Sequence, residues 1–360
     1  MKYIIILFFI VPIAAKAQIE NLIIITTDGL RWQEVFKGVD TAIANNPKFN
    51  QSDCTLIYNK YWANTQTESR KKLMPFLWTT IKNQGQIYGN RNYNNNVNVA
   101  NPYWFSYPGY SEIFCGMVDT AINSNAYTFN PNTNVLAFLN TQPNYKNKVA
   151  AFGAWFAFDK IFNKPKNNFP LYCGQTLYGQ AKKTDATEQL LNTMMLNAYQ
   201  PFGTEEPLDI FTHYAAMHYL QKNKPKILYI AYGETDEWAH SGQYRDYLNA
   251  ANQVDKWLSD LWLYLQATPQ YKNKTALFIT TDHGRGDANK AQWTSHNAKI
   301  AGANEIWFAA IGPSINAAGE IKTPMQIYQK QFAQTFANLL NTNFICTHAV
   351  ATGVATLLNK

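Results

Sequence analysis

Three short apolar runs in the chain each end in side chains that commonly bind metal ions. The runs, with the polar residues that follow them, are 21–27 with Asp28, 226–232 with Asp236 and His240, and 275–281 with Asp282 and His283. Their length and β-branched residues are typical of buried parallel strands. Because ligands bind at the carboxyl edge of such a sheet, the pattern predicts a metalloenzyme with its site at that edge.

Segments with helical periodicity alternate with these runs. The predicted helices are 75–84, 184–199, 207–222, 242–266 and 325–340, and further strands are predicted at 148–155 and 305–311. Strands that alternate with helices predict an α/β protein, a three-layer αβα sandwich with a mainly parallel central sheet. The Asn-rich segment 90–101 is interpreted as a surface loop.

The chain has 360 residues, of which 46% are hydrophobic, so it can bury a large core. We find no internal repeat and no linker long enough to separate two domains. Residues 18–360 are therefore predicted to form a single catalytic domain.

The first 17 residues are interpreted as a secretory signal peptide. Lys2 supplies the positive end, residues 3–15 are apolar, and Ala-Lys-Ala at 15–17 fits the small-x-small cleavage rule. The alternative is an uncleaved anchor, but the apolar run is shorter than the roughly 20 residues that span a membrane. The sequence therefore predicts a secreted or periplasmic protein without stable membrane insertion after cleavage.

The formal charge of +7 falls to +5 once Lys2 and Lys16 leave with the signal peptide. This modest excess is spread along the chain, with residues 70–72 as its densest run, which favours a solvated surface over a groove for a nucleic-acid duplex. A weakly positive field still helps to attract anionic substrates. The oligomeric state is left open.

Export makes disulfide bonds possible. The four cysteines, at positions 54, 115, 173 and 346, allow three connectivities, and their spacings match no zinc motif. A structural role for these residues is the default expectation.

The strand-end residues suit a site with two metal ions. Two divalent cations about 4 Å apart can hold a phosphoryl group between the attacking and leaving oxygens. Asp236 and His240 are four residues apart, so one helical turn places both side chains on the same side. His296 precedes the strand 305–311 and is a further candidate ligand. Mixed imidazole and carboxylate ligands favour zinc.

Three other histidines are predicted to have core or surface roles because no carboxylate partner is placed with them in the sequence. They are His213, His218 and His348.

The order of these motifs resembles the alkaline phosphatase superfamily, most closely its nucleotide pyrophosphatase/phosphodiesterase and phosphate-irrepressible alkaline phosphatase branches. The segment 28–32 (Asp-Gly-Leu-Arg-Trp) is similar to the first metal motif. The segment 106–116, from Ser106 through an aromatic-Pro-small sequence to Gly116, is similar to the nucleophile segment, and a short helix is expected from Pro108 to near Gly116. The resemblance extends from about residue 21 to residue 313.

The resemblance implies a set of ligands for two divalent metal ions. One ion would be bound by Asp236, His240 and His296, and the other by Asp28, Asp282, His283 and the Ser106 oxygen. It also implies that Ser106 is the nucleophile and forms a phosphoserine intermediate. The structural alternative is that the Ser106 side chain caps the helix. The implied activity is hydrolysis of small-molecule phosphoesters, with monoesters, diesters and nucleotides all as candidate substrates.

The sequence departs from the pattern of these branches at the nucleophile. Ser106 stands where they usually have Thr, and Gly109 and Tyr110 stand where many members have Asn and His. Asn125 is the best candidate for the phosphate-binding Asn, and the alternative is that it belongs to an Asn-rich turn. Arg285 could bind a phosphate with two hydrogen bonds or face solvent.

Aromatic residues near the nucleophile are candidates for substrate binding. Tyr107 and Trp155 are predicted to form the wall of a slot for a nucleobase or another flat group. Phe156 is predicted to lie in the core.

Three other functions compete with a hydrolase. A phosphotransferase like the metal-dependent phosphoglycerate mutases would need a second large domain, for which the chain is too short. A sulfatase would need an Arg at a fixed position after its nucleophile. Neither Ser106 nor Cys115 is followed by an Arg at that position. The third alternative is a non-catalytic secreted protein that binds metal or glycans, which the complete ligand set disfavours.

Overall fold

The computed structural model describes residues 18–179 and 183–358. The predicted signal peptide, residues 1–17, lies outside these described residues. No helix in the described part of the chain is both long and apolar enough to cross a membrane.

A mostly parallel sheet of eight strands forms the centre of the protein, in the order β10-β2-β9-β7-β1-β6-β4-β5. Within it, β9 runs antiparallel to both of its neighbours. The strands are β1 Asn21–Thr27, β2 Gly85–Tyr88, β3 Asn95–Asn98, β4 Val149–Gly153, β5 Leu171–Cys173, β6 Ile227–Tyr232, β7 Thr275–Thr281, β8 Glu305–Ile306, β9 Phe308–Ile311, β10 Gly319–Glu320 and β11 Met325–Tyr328. The remaining strands, β3, β8 and β11, form a small second sheet.

Helices cover both faces of the large sheet. They are α1 Trp32–Lys37, α2 Thr41–Ala44, α3 Thr55–Tyr61, α4 Gln66–Leu73, α5 Lys82–Gln84, α6 Ser106–Cys115, α7 Val135–Thr141, α8 Phe158–Ile161, α9 Ala186–Asn197, α10 Asp209–Asn223, α11 Glu234–His240, α12 Tyr244–Ala267 and α13 Phe332–Leu339. A π-helical turn, Leu77–Ile81, leads into α5. The arrangement confirms the predicted αβα sandwich.

The alternation of side chains along β1 explains the three layers. Ile23 and Ile25 join one buried cluster, which includes residues of α1, α4, α10 and α12. Leu22 and Ile24 point to the opposite face and join a second cluster with residues of α6, α7, α8 and α13. Successive side chains of a strand point to opposite faces, so a fully apolar strand requires cover on both sides.

Three local predictions differ from the structure. The segment 90–101 contains β3 rather than only a loop, because Val97 is buried and Asn95 bonds to the main chain at Gly89 and Thr323 (2.8 and 2.9 Å). The predicted helix 325–340 begins with β11, and its helical part is α13. The predicted helix at the nucleophile begins at Ser106, two residues before Pro108.

The four cysteines, all within the described residues, are free. The structure therefore supports none of the three possible disulfide connectivities. Cys115 and Cys173 are both buried, and Cys173 belongs to the second apolar cluster, which fits the expected structural role.

Candidate metal centre

The three strands that precede the candidate ligands are neighbours and end at the same level. The sheet order places β1 between β6 and β7. In both pairings the last residue of β1, Thr27, lies opposite the last residue of its neighbour, Tyr232 in β6 and Thr281 in β7. The residues that follow the three strands therefore emerge together at the carboxyl edge.

Asp236, His240 and His296 form the first group of side chains that could hold a metal ion. His240 Nε2 lies 3.0 Å from Asp236 Oδ2 and 2.9 Å from His296 Nε2. Both Asp236 and His240 belong to α11, one turn apart, whereas His296 comes from the loop after the short 3-10 helix Lys290–Thr294. The first group thus combines the predicted i, i+4 pair with a histidine from a distant segment of the chain.

Asp28, Asp236 and His283 form a second such group. His283 Nε2 lies 3.2 Å from Asp28 Oδ1 and 3.7 Å from Asp236 Oδ1. Asp236 belongs to both groups, so its carboxylate lies between the two candidate metal positions.

Asp282 is fully buried beside the second group, and its two carboxylate oxygens differ. Oδ1 accepts hydrogen bonds from the main-chain N–H groups of Gly29 (3.0 Å) and His283 (2.9 Å). Oδ2 accepts no hydrogen bond from the described residues and lies 3.5 Å from His283 Nε2. Buried carboxylate oxygens normally have a partner, so the free Oδ2 fits a metal ligand.

Ser106, the first residue of α6, lies against the same group. Its Oγ is 3.3 Å from His283 Nε2 and 3.5 Å from Asp28 Oδ1. The start of a helix carries a partial positive charge, which stabilises an anionic oxygen there. The helix approaches closely because Gly109 has no side chain; a Cβ at that position would lie 2.6 Å from the Asp282 carbonyl oxygen.

Tyr110 is a site residue for which the sequence motif predicts no role. Its hydroxyl donates a 3.0 Å hydrogen bond to Asp28 Oδ2. It lies one helical turn after Ser106, so the two side chains share a face of α6. That spacing is the signal that could have identified it.

Electrostatics of the cluster favour a bound cation. Burial raises the pKa of Asp28, and the charge of Asp236 raises it further. Burial likewise raises the pKa of Asp282, and the charge of Asp28 adds to that rise. Although burial alone would lower the pKa of His283, the carboxylates of Asp282 and Asp28 raise it to about 9. Carboxylates crowded away from water repel each other, and divalent cations would offset this repulsion. The donor set therefore fits the implied metal ions.

Arg285 is fully buried, so the solvent-facing alternative is wrong. Its guanidinium contacts the Asp236 carboxylate and donates to the Asp236 carbonyl oxygen at 3.0 Å. Although burial alone would raise the pKa of Asp236, the charges of Arg285 and then His240 hold it well below its usual value. Arg285 therefore stabilises the shared carboxylate.

Asn125 is exposed and lies beside the nucleophile. Its carboxamide oxygen accepts the main-chain N–H of Tyr107, the residue after Ser106, at 3.0 Å. Its role in phosphate binding stays a prediction, and this contact places the residue at the required end of α6.

The structure reverses two of the aromatic predictions. Tyr107 is completely buried and its hydroxyl donates to the Thr128 carbonyl oxygen at 2.6 Å, so it cannot form a pocket wall. Phe156, predicted to lie in the core, is 42% exposed. Trp155 is half-buried and packs edge-on against Phe158. The helix turns Tyr107 inward, whereas Phe156 lies in the loop after β4.

The other three histidines lie outside both groups. His213 stacks on Trp257 and bonds to the Tyr232 hydroxyl, and His348 bonds to the Cys115 carbonyl oxygen. His218, contrary to expectation, has a carboxylate partner, Asp185, at 2.9 Å.

A possible third metal group, formed by Asp185, Glu188 and His218, already has a cation. The Lys222 ammonium lies 2.7 Å from Asp185 and 2.9 Å from Glu188. This ion pair satisfies both carboxylates, so the group has no need of a metal.

A further functional residue, Asp209, fixes the start of α11 and belongs to no recognisable sequence motif. Asp209 accepts hydrogen bonds from the main-chain N–H groups of Gly233 and Glu234, at 2.8 and 3.0 Å. Glu234 in turn accepts the N–H of Asp209 at 2.8 Å. These bonds cap the short helix that carries Asp236 and His240.

Replacing Gly29 with alanine is expected to disturb the centre. Gly29 has φ +56°, and a Cβ there would lie 2.6 Å from Asp236 Oδ1 and 3.1 Å from His283 Cε1. We expect the variant to lose roughly 1–2 kcal/mol through backbone strain and to bind less metal because Asp236 must move. Elemental analysis and thermal unfolding measure the two effects.

Gly203→Ala is the matched control for the strain alone. Gly203 has φ +82° with nothing within 4 Å of the added Cβ. This variant should be destabilised but keep its full metal content. Equal metal content in the two variants would contradict the proposed position of Asp236.

Two sequence comparisons match the chain to known proteins. The family model "Type I phosphodiesterase / nucleotide pyrophosphatase" matches residues 39–327, a segment that begins after Asp28. Among curated proteins, the 2,3-bisphosphoglycerate-independent phosphoglycerate mutase of Gracilaria tenuistipitata var. liui is 31% identical over 87 residues, which are 23% of this chain and 16% of the mutase.

Solved structures share the fold. The alkaline phosphatase PafA superposes with a TM-score of 0.62 at 10% identity, covering 96% of this chain and 100% of PafA. The lipoteichoic acid synthase LtaP from Listeria monocytogenes gives 0.58 at 12% identity, covering 95% and 76% of the two chains. The 2-O GAG sulfatase BT1596 gives 0.57 at 15% identity, covering 92% and 73%. Together with the family match, these likenesses show that the chain belongs to the type I phosphodiesterase/nucleotide pyrophosphatase family of the alkaline phosphatase superfamily.

Proposed function

We propose that the protein is an exported, metal-dependent phosphoester hydrolase that acts on small phosphodiesters through Ser106. The observation that carries the proposal is the position of the Ser106 hydroxyl, 3.3 Å from His283 Nε2 and 3.5 Å from Asp28 Oδ1. A nucleophile within reach of one ligand group, next to a second group that shares Asp236, suits in-line displacement at phosphorus.

Two divalent ions would be held by the residues described above. Asp236, His240 and His296 would bind one, and the other would take Asp28, Asp282, His283 and the Ser106 oxygen. These nitrogen and carboxylate donors favour zinc. When bound, the ions would lower the pKa of the Ser106 hydroxyl and stabilise negative charge on the leaving oxygen.

Each of these side chains would then have a defined role in the reaction. The deprotonated Ser106 Oγ forms a bond to phosphorus while the bond to the leaving ester oxygen breaks and that oxygen keeps the electron pair. The partial positive charge at the start of α6 stabilises the attacking oxygen, and Tyr110 holds Asp28 in place. Hydrolysis of the phosphoserine returns the Ser106 hydroxyl and releases the phosphate product.

The surroundings of Ser106 favour diesters over monoesters. A monoester carries an extra negative charge, which a free basic side chain would stabilise. In the described part of the chain, the basic side chain that contacts the ligands is Arg285, and its guanidinium is bonded to Asp236. Trp155 and Phe156 follow β4, the neighbour of β6, so they emerge at the same edge of the sheet and would offer an aromatic surface for a second ester group. Nucleotides are among the candidate substrates.

The test compares p-nitrophenyl phosphate with bis(p-nitrophenyl) phosphate on one preparation, with and without chelator. We expect kcat/KM for the diester to exceed that for the monoester by at least ~10-fold, about 1.4 kcal/mol. Chelation should abolish both activities, and added Zn²⁺ should restore them. Turnover that survives complete metal removal would overturn the proposal, as would isomerisation of a phosphoglycerate without net hydrolysis.

A further inference from the structure

Glu112 connects the nucleophile helix α6 to a distant segment of the chain. It is 1% exposed and lies in the same helix as Ser106, about 9 Å further along the helix axis. Its Oε1 accepts the main-chain N–H of Lys330 at 2.9 Å. Lys330 belongs to the 3-10 helix Gln329–Gln331, so this bond fixes α6 against that short helix.

The residue before Lys330 connects the same 3-10 helix to a candidate metal ligand. Gln329 is fully buried, and its side-chain amide donates to the carbonyl oxygens of Thr281 (3.2 Å) and Asp282 (2.7 Å). Thr281 ends β7 and Asp282 follows it, so these bonds fix the backbone that carries the Asp282 carboxylate. A continuous chain of contacts therefore extends from Glu112 to a candidate ligand.

Direct packing of α6 on Asp282 closes this chain of contacts into a ring. Gly109 lies between Ser106 and Glu112 in α6, and a Cβ there would be 2.6 Å from the Asp282 carbonyl oxygen. The same oxygen accepts the hydrogen bond from Gln329. A shift of α6 would change the distance from Ser106 to the metal centre, and both contacts oppose such a shift.

Glu112 also fixes the loop that leads into Ser106. Its carboxylate accepts the main-chain N–H groups of Ala100 (2.9 Å) and Asn101 (2.8 Å) and the Asn101 side-chain amide (3.0 Å). The Asn101 carboxamide oxygen in turn accepts the N–H of Trp104 at 3.2 Å. Trp104 has φ +55°, which is uncommon for a residue other than glycine. Such strain persists only where the surrounding contacts impose it, and it is common at functional sites.

The Gln329 carboxamide is satisfied on one side only. Its Oε1 is buried and has no hydrogen-bond partner among the described residues. A buried acceptor without a partner lowers stability, and an apolar side chain of the same size would avoid that cost. The position that the two donated bonds give to Asp282 explains this side chain better than stability does.

We propose that Glu112 and Gln329 are positioning residues that hold the Ser106 hydroxyl at the distance from the Asp282 side of the metal centre that attack on phosphorus requires. Both act through the backbone, Glu112 on α6 and the loop before it, and Gln329 on the end of β7. A displacement of about 1 Å can lower the rate of a reaction by ~10²-fold. The inference rests on the proposed function and identifies what sets the geometry of its site.

Gln329→Met tests the proposal, because methionine has a similar length but no N–H donor. With the enzyme in excess over bis(p-nitrophenyl) phosphate, release of p-nitrophenolate in a single turnover measures the attack by Ser106. We expect the rate at saturating enzyme to fall by at least ~10-fold, while the half-saturating concentration stays within ~2-fold of the native value. The metal content should stay close to native, because the Asp282 carboxylate is retained.

Gln331→Met is the matched control in the same 3-10 helix. The Gln331 side chain donates to the Thr352 carbonyl oxygen at 3.2 Å and accepts the Tyr328 N–H at 2.9 Å. Neither of these bonds reaches α6 or β7, so this variant should keep the native single-turnover rate. Melting temperatures of both variants, measured on the same samples, separate a loss of rate from a loss of stability.

Glu112→Gln and its combination with Gln329→Met test whether the two residues act through one chain of contacts. A glutamine has one side-chain acceptor oxygen, so Glu112→Gln loses the bond to either Lys330 or Asn101. If each single substitution lowers the rate by ~10-fold, the double variant should lose much less than the ~100-fold product, because the connection is already broken. A loss equal to the product would overturn the shared route. Gln329→Met and its control decide the proposal by themselves if Glu112→Gln does not fold.

The outcomes separate the inference from the proposed function. Diester hydrolysis by the native protein, with an unchanged single-turnover rate in Gln329→Met, would overturn the inference and leave the proposed function standing. A lower melting temperature in that variant would then assign Gln329 a structural role. Equal losses of rate in Gln329→Met and Gln331→Met would also overturn the inference. A native protein that does not hydrolyse the diester would overturn the proposed function and the inference with it.

Discussion

Replacement of Ser106 with alanine is expected to lower kcat/KM for bis(p-nitrophenyl) phosphate by at least ~10³-fold, as for the loss of other nucleophiles. The hydroxyl is the group that would attack phosphorus, and the remaining side chains of the centre cannot form the covalent intermediate. The metal content should remain close to that of the native protein, because Asp28, Asp282 and His283 are unchanged. Steady-state kinetics and elemental analysis of the same preparation check both expectations.

Ser111→Ala provides the control in the same helix. Ser111 is also buried in α6, but its hydroxyl accepts a 3.0 Å hydrogen bond from Asn130 and touches neither ligand group. This variant should retain hydrolysis. Ser106 is the first residue of α6 and its side chain does not cap the helix, because the N-cap position is Phe105. Substantial turnover by Ser106→Ala would therefore show that Ser106 is not the nucleophile.

Asp236→Asn is expected to have the largest effect on metal binding. Asp236 belongs to both ligand groups, so its loss should reduce the occupancy of both ions and lower turnover by at least ~10²-fold. It would also leave the fully buried Arg285 guanidinium without its countercharge. Breaking a buried ion pair costs about 3–5 kcal/mol, so the metal-free variant should unfold more readily.

Asp282→Asn is the comparison for this variant. Asp282 contacts the second group but not His240 or His296, so its loss should empty one position and leave the other filled. Metal content per chain and denaturant unfolding of the metal-free proteins measure the difference. An equal loss of metal in the two variants would contradict the shared position of Asp236.

The fold was predictable because its main elements are encoded locally. The runs 21–27, 226–232 and 275–281 are apolar on both faces, which in a chain of this size requires a parallel sheet with helices on each side. The predictions failed where local composition and tertiary environment disagree. Asn95, for example, belongs to an Asn-rich segment but is buried in a strand, where its carboxamide bonds to the backbone of nearby Gly89 and of distant Thr323.

The substrate-binding surface was less predictable than the ligands. Tyr107 and Phe156 are both aromatic residues next to candidate site segments, yet one is buried and the other is exposed. Their exposure depends on the orientation of α6 and on the loop after β4, which no local pattern specifies.

The sequence by itself determined the αβα architecture and which residue types stand at the ends of its parallel strands, because strand periodicity and chain order are local properties. The tertiary structure decided that Asp236 serves both ligand groups, that Arg285 neutralises Asp236, and that Tyr110 holds Asp28. Each of these relations joins segments far apart in the chain. Such contacts depend on how helices and loops pack around the sheet edge, and only the folded chain specifies that packing.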